Sequence, residues 1–153
     1  MTAFDSARGL GEITDASWED LMGTNVRAPL FLAQAAAPHL KKTHGAIINI
    51  TDIHADRPLK NYVVYSVAKA ALAGLTRSLA RELGPFGIRV NAIAPGSILT
   101  GRAKERFETA PEAAKQKTLS AIPVGRMGEP QDVASAVLFL ASPAAVFITG
   151  VIL

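Results

Sequence analysis

The sequence predicts an α/β fold in which helices cover both faces of a parallel sheet. Three observations predict it. Helical and strand-like segments alternate along the chain; the two clear strand segments are apolar at consecutive positions; and each of them ends in a polar or Pro-Gly loop. Strands buried on both faces carry continuous apolar runs, and such strands occur where crossover helices cover a parallel sheet.

The elements follow in order. Residues 1–13 show no periodicity and are predicted irregular. Thr14 or Asp15 is placed to cap a helix running through Trp18, Leu21, Val26, Leu30 and Leu32 to about Leu40, with Trp18 as its packing anchor. Residues 45–51 form a short β-branched run bounded by Gly and Asp, the pattern of a buried strand. A polar loop covers 52–61. Helical spacing returns from Tyr62 to Leu83 and stops at Gly84-Pro85. Residues 87–93 read as a second strand, closed by Pro95-Gly96. Residues 101–128 are polar with helix-like portions and little apolar anchor, as in a mobile lid. Pro130 opens a helix over 131–141, and residues 147–153 read as a final strand.

Composition limits the function classes. The chain has 153 residues, the size of one domain, and 49% of them are apolar, enough for a core. It contains no cysteine, which removes disulfides and thiolate metal sites. The mixed, polar N-terminus has no signal-peptide pattern. No apolar run approaches the roughly 18 residues of a membrane span. These features predict a cytoplasmic protein without a membrane. The net charge of +3 is small and dispersed, which predicts no nucleic-acid surface. His39, His44 and His54 match no zinc spacing, so no metal is expected; His39 and His44 end a helix, where a cation suits the dipole.

The chemistry lies in three segments. Tyr65 and Lys69 are four apart on a predicted helix and share one face. An ammonium beside a phenol stabilises the phenolate and lowers the tyrosine pKa from about 10. A tyrosine tuned in this way exchanges protons with a substrate. Asp52 follows the first strand at its C-terminal end, where parallel α/β sheets build their sites. Pro95-Gly96 lies just past the second strand, and a glycine there lets a ligand approach the backbone. Asn25 stands four residues before Pro29. Pro29 has no N–H, so the carbonyl of residue 25 loses its helical partner and the helix should kink. The free carbonyl is then available to hold a water that relays protons to a lysine. An ordinary proline kink with Asn25 as a polar filler explains the same spacing.

At this point the chain resembles the short-chain dehydrogenase/reductase family. The matching segments are Asn25 in its helix, Ile47-Ile-Asn-Ile-Thr-Asp52, Tyr65-Ser-Val-Ala-Lys69, Ile88-Arg-Val-Asn-Ala-Ile-Ala-Pro-Gly96 with Thr100, Gly125-Arg-Met-Gly-Glu-Pro130 with Asp132-Val-Ala, and Ile148-Thr-Gly150. They stand in family order and spacing over nearly the whole chain. The resemblance implies the C-terminal half of a Rossmann-type doubly wound parallel sheet, with residues 1–153 forming a partial family domain. It implies Tyr65 as catalytic acid/base, Lys69 as the residue that binds the nicotinamide ribose and tunes Tyr65, and Asn25 as the water-holding asparagine. It places Pro95, Gly96, Ser97, Ile98 and Thr100 beside the nicotinamide of NADPH or NADH.

Asp52 departs from the family pattern, which has a serine thirteen positions before the tyrosine. A carboxyl group kept neutral by an apolar site can hand a proton to a ring nitrogen. As a carboxylate it accepts hydrogen bonds from an amino-substituted ring. Asp at this place, with residues 49–60 around it, resembles bacterial pteridine reductases. That implies NADPH-dependent reduction of a pterin or dihydrofolate-like ring, with Asp52 and Tyr65 supplying protons. By the same resemblance Phe4 is the candidate for stacking on the ring. Ser97-Ile-Leu-Thr100 instead has the generic family form, which leaves the substrate loop at 101–127 open to another substrate. Arg57 and Lys60 flank the site loop.

The alternatives are a general carbonyl reductase, such as one acting on 3-oxoacyl thioesters, and a non-catalytic truncated remnant. The sequence has no strand followed by a Gly-rich pyrophosphate turn, because Gly9-Leu-Gly11 is too short. The strand at 45–51 is therefore expected to expose an apolar edge. A homodimer or homotetramer is implied by the resemblance, with Leu32 and Leu79 as candidate interface residues and a small molecule as substrate.

Overall fold

The computed structural model describes residues 7–153, apart from the side chain of Arg102. The elements are α1 (Asp15–Met22), a π-helical turn (Gly23–Arg27), α2 (Ala28–Thr43), β1 (Ala46–Ile50), a 3-10 turn (Ile53–Ala55), α3 (Val63–Leu83), β2 (Arg89–Ile93), α4 (Gly101–Thr109), α5 (Glu112–Ser120) and α6 (Pro130–Ala141). The predicted α/β class is the one observed.

β1 and β2 pair in parallel, with Ala46 opposite Arg89 and Ile50 opposite Ile93. Side chains alternate between the two faces. Ile47 and Val90 join Ala80, Leu83 and Ile88, under α2 and α3. Ile48 and Ile93 join Leu140 and Ala145, under α6. Both faces are thus covered, which is why each strand carries apolar side chains on both of its faces. Polar side chains lock the layers together. Asn49 Nδ2 donates to Thr76 Oγ1 of α3 at 2.9 Å. The Arg89 guanidinium donates to the carbonyls of Leu140 at 2.6 Å and Ser142 at 3.3 Å, capping the C-terminal end of α6.

The final strand is shorter than expected. Residues Pro143–Ala145 form a 3-10 turn, and pairing along β2 is a single parallel bridge between Ala92 and Ile152. Side chains occupy the preceding rungs. Val90 N–H donates to Thr149 Oγ1 at 3.0 Å, and the fully buried Asn91 donates from Nδ2 to the Ile148 carbonyl at 2.9 Å. Backbone bonds begin with Gly150 N–H to Val90 O at 2.7 Å.

The first helix needs two corrections. Its distortion is a π-helical turn rather than a simple kink at Pro29, with Ala28 N–H reaching back five residues to the Gly23 carbonyl. Trp18 is 43% exposed, and Ser17 and Leu21, not Trp18, are the buried residues of α1. The N-terminal cap is Thr14, in a reciprocal capping box with Ser17. Leu79, expected to face outward, packs on the cluster of Ala80, Leu83, Ile88 and Val90, whereas Leu32 is 69% exposed. Among the described residues β1 pairs only with β2, and Ile50 is partly exposed at its end. The predicted lid is the helix pair α4 and α5.

Candidate active site

Tyr65 enters the site from the first turn of α3, and its seat is made by the N-terminal elements. Its ring clusters with Leu21 of α1 and Val64, with Ile13 and Tyr62 against them. Tyr62 meets it edge-on, with ring centroids 6.4 Å apart. Only 8% of Tyr65 remains exposed. Its hydroxyl donates to Asp52 Oδ2 at 2.6 Å.

Asp52 is held by the chain just after β1. Its backbone is extended, and its Oδ1 accepts the His54 N–H at 2.9 Å, capping the 3-10 turn Ile53–Ala55. Thr51 N–H donates to Ile93 O at 2.8 Å and Ile53 N–H to Pro95 O at 3.3 Å. These bonds tie the two strand ends together, so Pro95-Gly96 comes beside Asp52. Lys69, one turn along α3, donates to the Ile50 carbonyl at 3.1 Å, and its Nζ lies 5.7 Å from the Tyr65 ring centroid.

The electrostatics differ from the sequence expectation. Burial pushes the Tyr65 phenol above its ordinary value, and the hydrogen bond to Asp52 and its charge push it further. Lys69 does not lower it, because the ammonium is bonded to the Ile50 carbonyl and flanks the ring rather than the hydroxyl. Burial lowers the pKa of Lys69 itself, and the charge of Asp52 opposes that shift. Tyr65 is therefore held as a neutral phenol.

Asn25 lies in the π-helical turn, which packs against α3. Its Nδ2 donates to Leu21 O at 2.9 Å and to Thr24 Oγ1 at 3.1 Å, so its amide is engaged within its own helix. Phe4 lies outside the described residues.

Asp52, Tyr65, Lys69, Pro95, Gly96, Ser97, Ile98 and Thr100 all line one cleft of about 940 Å³. Sequence reasoning named residues 101–127 as the substrate loop but none of the side chains by which this segment walls the cleft, Phe107 of α4, Ala110 just after it, and Ala114 and Thr118 of α5. Phe107 is the lone aromatic in the polar 101–128 stretch, and that was the available signal. It also passed over Tyr62 and His54, both of which line the cleft. The base of this wall is pinned. Leu99 N–H donates to Gly128 O at 2.8 Å and Gly128 N–H to Ser97 O at 2.9 Å. Arg126 clasps Asp132 through two 2.8 Å bonds, and Asp132 accepts the Glu129 N–H at the start of α6.

The cleft fits the nicotinamide end of a dinucleotide. It offers an amine, a phenol and the exposed backbone of Gly96, where a built Cβ meets only Ile53 Cδ1 at 3.9 Å. No Gly-rich turn joins a strand to a helix among the described residues. Also among them, no group of His, Cys, Asp or Glu is arranged to hold a metal, and no helix is long and apolar enough to cross a membrane.

Helices on both faces of parallel strands, with polar groups gathered beyond the C-terminal strand ends, define the doubly wound α/β class. Within that class the chain belongs to the short-chain dehydrogenase/reductase family. Residues 2–153 match the family profile described as enoyl-(acyl carrier protein) reductase. D-xylose 1-dehydrogenase of Caulobacter vibrioides is 42% identical over 147 residues, covering 95% of this chain and 58% of that protein. The 3-oxoacyl-[acyl-carrier-protein] reductase of Vibrio harveyi is 38% identical over 143 residues, covering 92% and 57%. The chain thus spans somewhat over half the length of these curated relatives. A solved 7α-hydroxysteroid dehydrogenase in complex with NADH and 7-oxo glycochenodeoxycholic acid superposes with a TM-score of 0.86 at 38% identity, covering 96% of this chain and 56% of that one. A short-chain oxidoreductase of Pseudomonas aeruginosa with NADPH bound, described as containing an atypical catalytic center, superposes with a TM-score of 0.85 at 33% identity, covering 96% and 58%.

Proposed function

We propose that the protein is an NADPH-dependent reductase of a pterin or dihydrofolate-like ring. The observation that carries this reading is Asp52, hydrogen-bonded to Tyr65 at 2.6 Å where the family pattern has a serine. A carboxyl group beside the proton-donating phenol suits a substrate with ring nitrogens and an amino substituent, because it can accept from one and donate to the other. Tyr65, kept neutral by burial and by Asp52, gives its proton to the substrate. Lys69 and the segment Pro95, Gly96, Ser97, Ile98 and Thr100, which line the cleft, hold the ribose and nicotinamide, and Asn25, in the turn packed on α3, is the water-holding asparagine. The bound cofactor supplies hydride. The protein works in the cytoplasm on a small molecule, as a homodimer or homotetramer, and exposed Phe31 and Leu32 of α2 suit such an interface.

A general carbonyl reductase is the second reading. Its support is the likeness to the 3-oxoacyl thioester reductase and to the hydroxysteroid dehydrogenase. Oxidation of NADPH by the full-length protein, with dihydrobiopterin, dihydrofolate or an acetoacetyl thioester, separates the two. The pterin reading expects turnover of the ring substrates, lowered roughly a hundredfold in Asp52→Ser as for loss of a general acid. Turnover of the thioester alone, undiminished in Asp52→Ser, overturns it. No turnover of any of them favours a non-catalytic remnant.

A further inference from the structure

We propose that His54 is a positioning residue that passes protons from solvent to Tyr65 through Asp52; this rests on the reading of Tyr65 as the proton donor of a reductase. Three groups stand in a row. The Tyr65 hydroxyl reaches Asp52 Oδ2 at 2.6 Å, and His54 Nε2 faces Asp52 Oδ1 at 3.9 Å. The backbone N–H of His54 binds that same Oδ1 at 2.9 Å, which fixes the ring's distance from the carboxyl group. The other ring nitrogen, Nδ1, lies 2.9 Å from the Arg57 carbonyl.

That last contact determines where a proton can go. A carbonyl oxygen only accepts, so Nδ1 carries the hydrogen in the neutral ring and Nε2 is bare. The one ring atom free to take up a proton is therefore the atom facing Asp52. A separation of 3.9 Å is bridged by a water or by a small rotation of the imidazole. The side chains of His54 and Asp52 are 25% and 24% exposed, so the pair meets more water than the buried Tyr65.

The relay balances. When the Tyr65 O–H bond breaks and the substrate gains that proton, the phenolate left behind is disfavoured by burial. Solvent protonates the bare His54 Nε2, the Nε2–H bond then breaks as the Asp52 carboxylate takes that proton, and the new Asp52 O–H bond breaks as the proton passes to the phenolate, which leaves carboxylate and neutral ring as they began. The charged and titratable groups around His54 are Asp52, Asp56, Arg57 and Lys60 of its own loop, Tyr62 at the N-cap of α3, and Tyr65 and Lys69 within α3. Across the cleft are Arg106 and Lys115.

The test uses the full-length protein with NADPH and both substrate types, in wild type, His54→Asn and His54→Ala. Asparagine keeps an N–H for the Arg57 carbonyl and cannot gain a proton. The expected result is an unchanged KM, a kcat lowered roughly tenfold, part of the range of acid–base effects, and a pH profile of kcat that differs from wild type. Added imidazole restores His54→Ala. In wild type, 15N spectra show the neutral ring protonated on Nδ1, a measurement that needs no variant to fold. An Nε2–H ring, or a His54→Asn profile matching wild type at every pH, overturns the relay alone. A wild type that reduces neither substrate overturns the reductase reading and the relay with it.

Discussion

The Tyr65 hydroxyl and Asp52 Oδ2 are joined by a 2.6 Å hydrogen bond that links the first turn of α3 to the chain just after β1. It connects residues thirteen apart in sequence and makes one proton-holding unit of a phenol and a carboxyl group. It adds to burial in raising the Tyr65 phenol above its ordinary value.

Tyr65 makes folding stability fall at high pH. Its folded pKa is raised above the ordinary value of 10.0, so below that value the phenol is neutral in both folded and unfolded chains and costs nothing. As pH rises further the unfolded chain loses its proton first, and stability drops until the folded value is passed. Asp52→Asn removes the charge and weakens the hydrogen bond, leaving burial alone. We expect a shallower alkaline loss in denaturant titrations of Asp52→Asn, and an earlier phenolate signal in ultraviolet titration. An alkaline profile identical to wild type would contradict the coupling.

Gly87 and His44 meet where α2 and α3 deliver the chain into the two strands. Gly87 has φ +74°, and a Cβ built on it collides with His44 Nδ1. Gly87→Ala thus carries both a conformational and a steric cost, about 2 kcal/mol in sum. Adding His44→Ala recovers the steric part only. Urea unfolding of the two single variants and the double variant measures this; strict additivity would refute the contact.

Asn91 is fully buried and bonds the C-terminal segment twice, donating to Ile148 O and accepting from Val151 N–H at 3.2 Å. Asn91→Ala leaves two backbone groups without partners, at a cost of about 3 kcal/mol. Hydrogen exchange at the Val151 amide should accelerate with the global loss. Protection unchanged from wild type would show that water replaces the side chain.

The Arg126–Asp132 clasp acts locally. The Arg126 hydrogen bond and the Glu129 N–H hold the Asp132 carboxyl well below the usual carboxylate range, so the clasp persists above that range and is lost as pH falls through the lowered value. Both side chains are solvated, and the pair weakens with salt. Asp132→Asn should speed exchange of the Glu129 amide severalfold with little change in Tm. A large drop in Tm would place the clasp in the global core.

Much of the site was legible because its groups fall at strand and helix ends, which patterning marks well. Asp52 after an apolar run, Tyr65 and Lys69 at helical spacing, and Pro95-Gly96 after a second run all arrived in one cleft. The errors came from side chains competing with backbone. Thr149 and Asn91 displaced part of the last strand, and a π-helical turn replaced the simple proline kink. Trp18 misled because an aromatic in a helix is a packing anchor only if its face is the buried one, and in α1 that face belongs to Ser17 and Leu21.

The amino-acid sequence by itself determined the α/β class, the order of elements and the identity of the phenol, amine and carboxylic acid, since these depend on local periodicity and residue chemistry. Tertiary structure alone decided which atoms meet. It set Lys69 on the Ile50 carbonyl, bonded Tyr65 to Asp52 and turned His54 Nε2 toward that carboxyl group. Protonation depends on burial and on distances of a few ångströms between side chains on different elements, and neither is written in the spacing of residues.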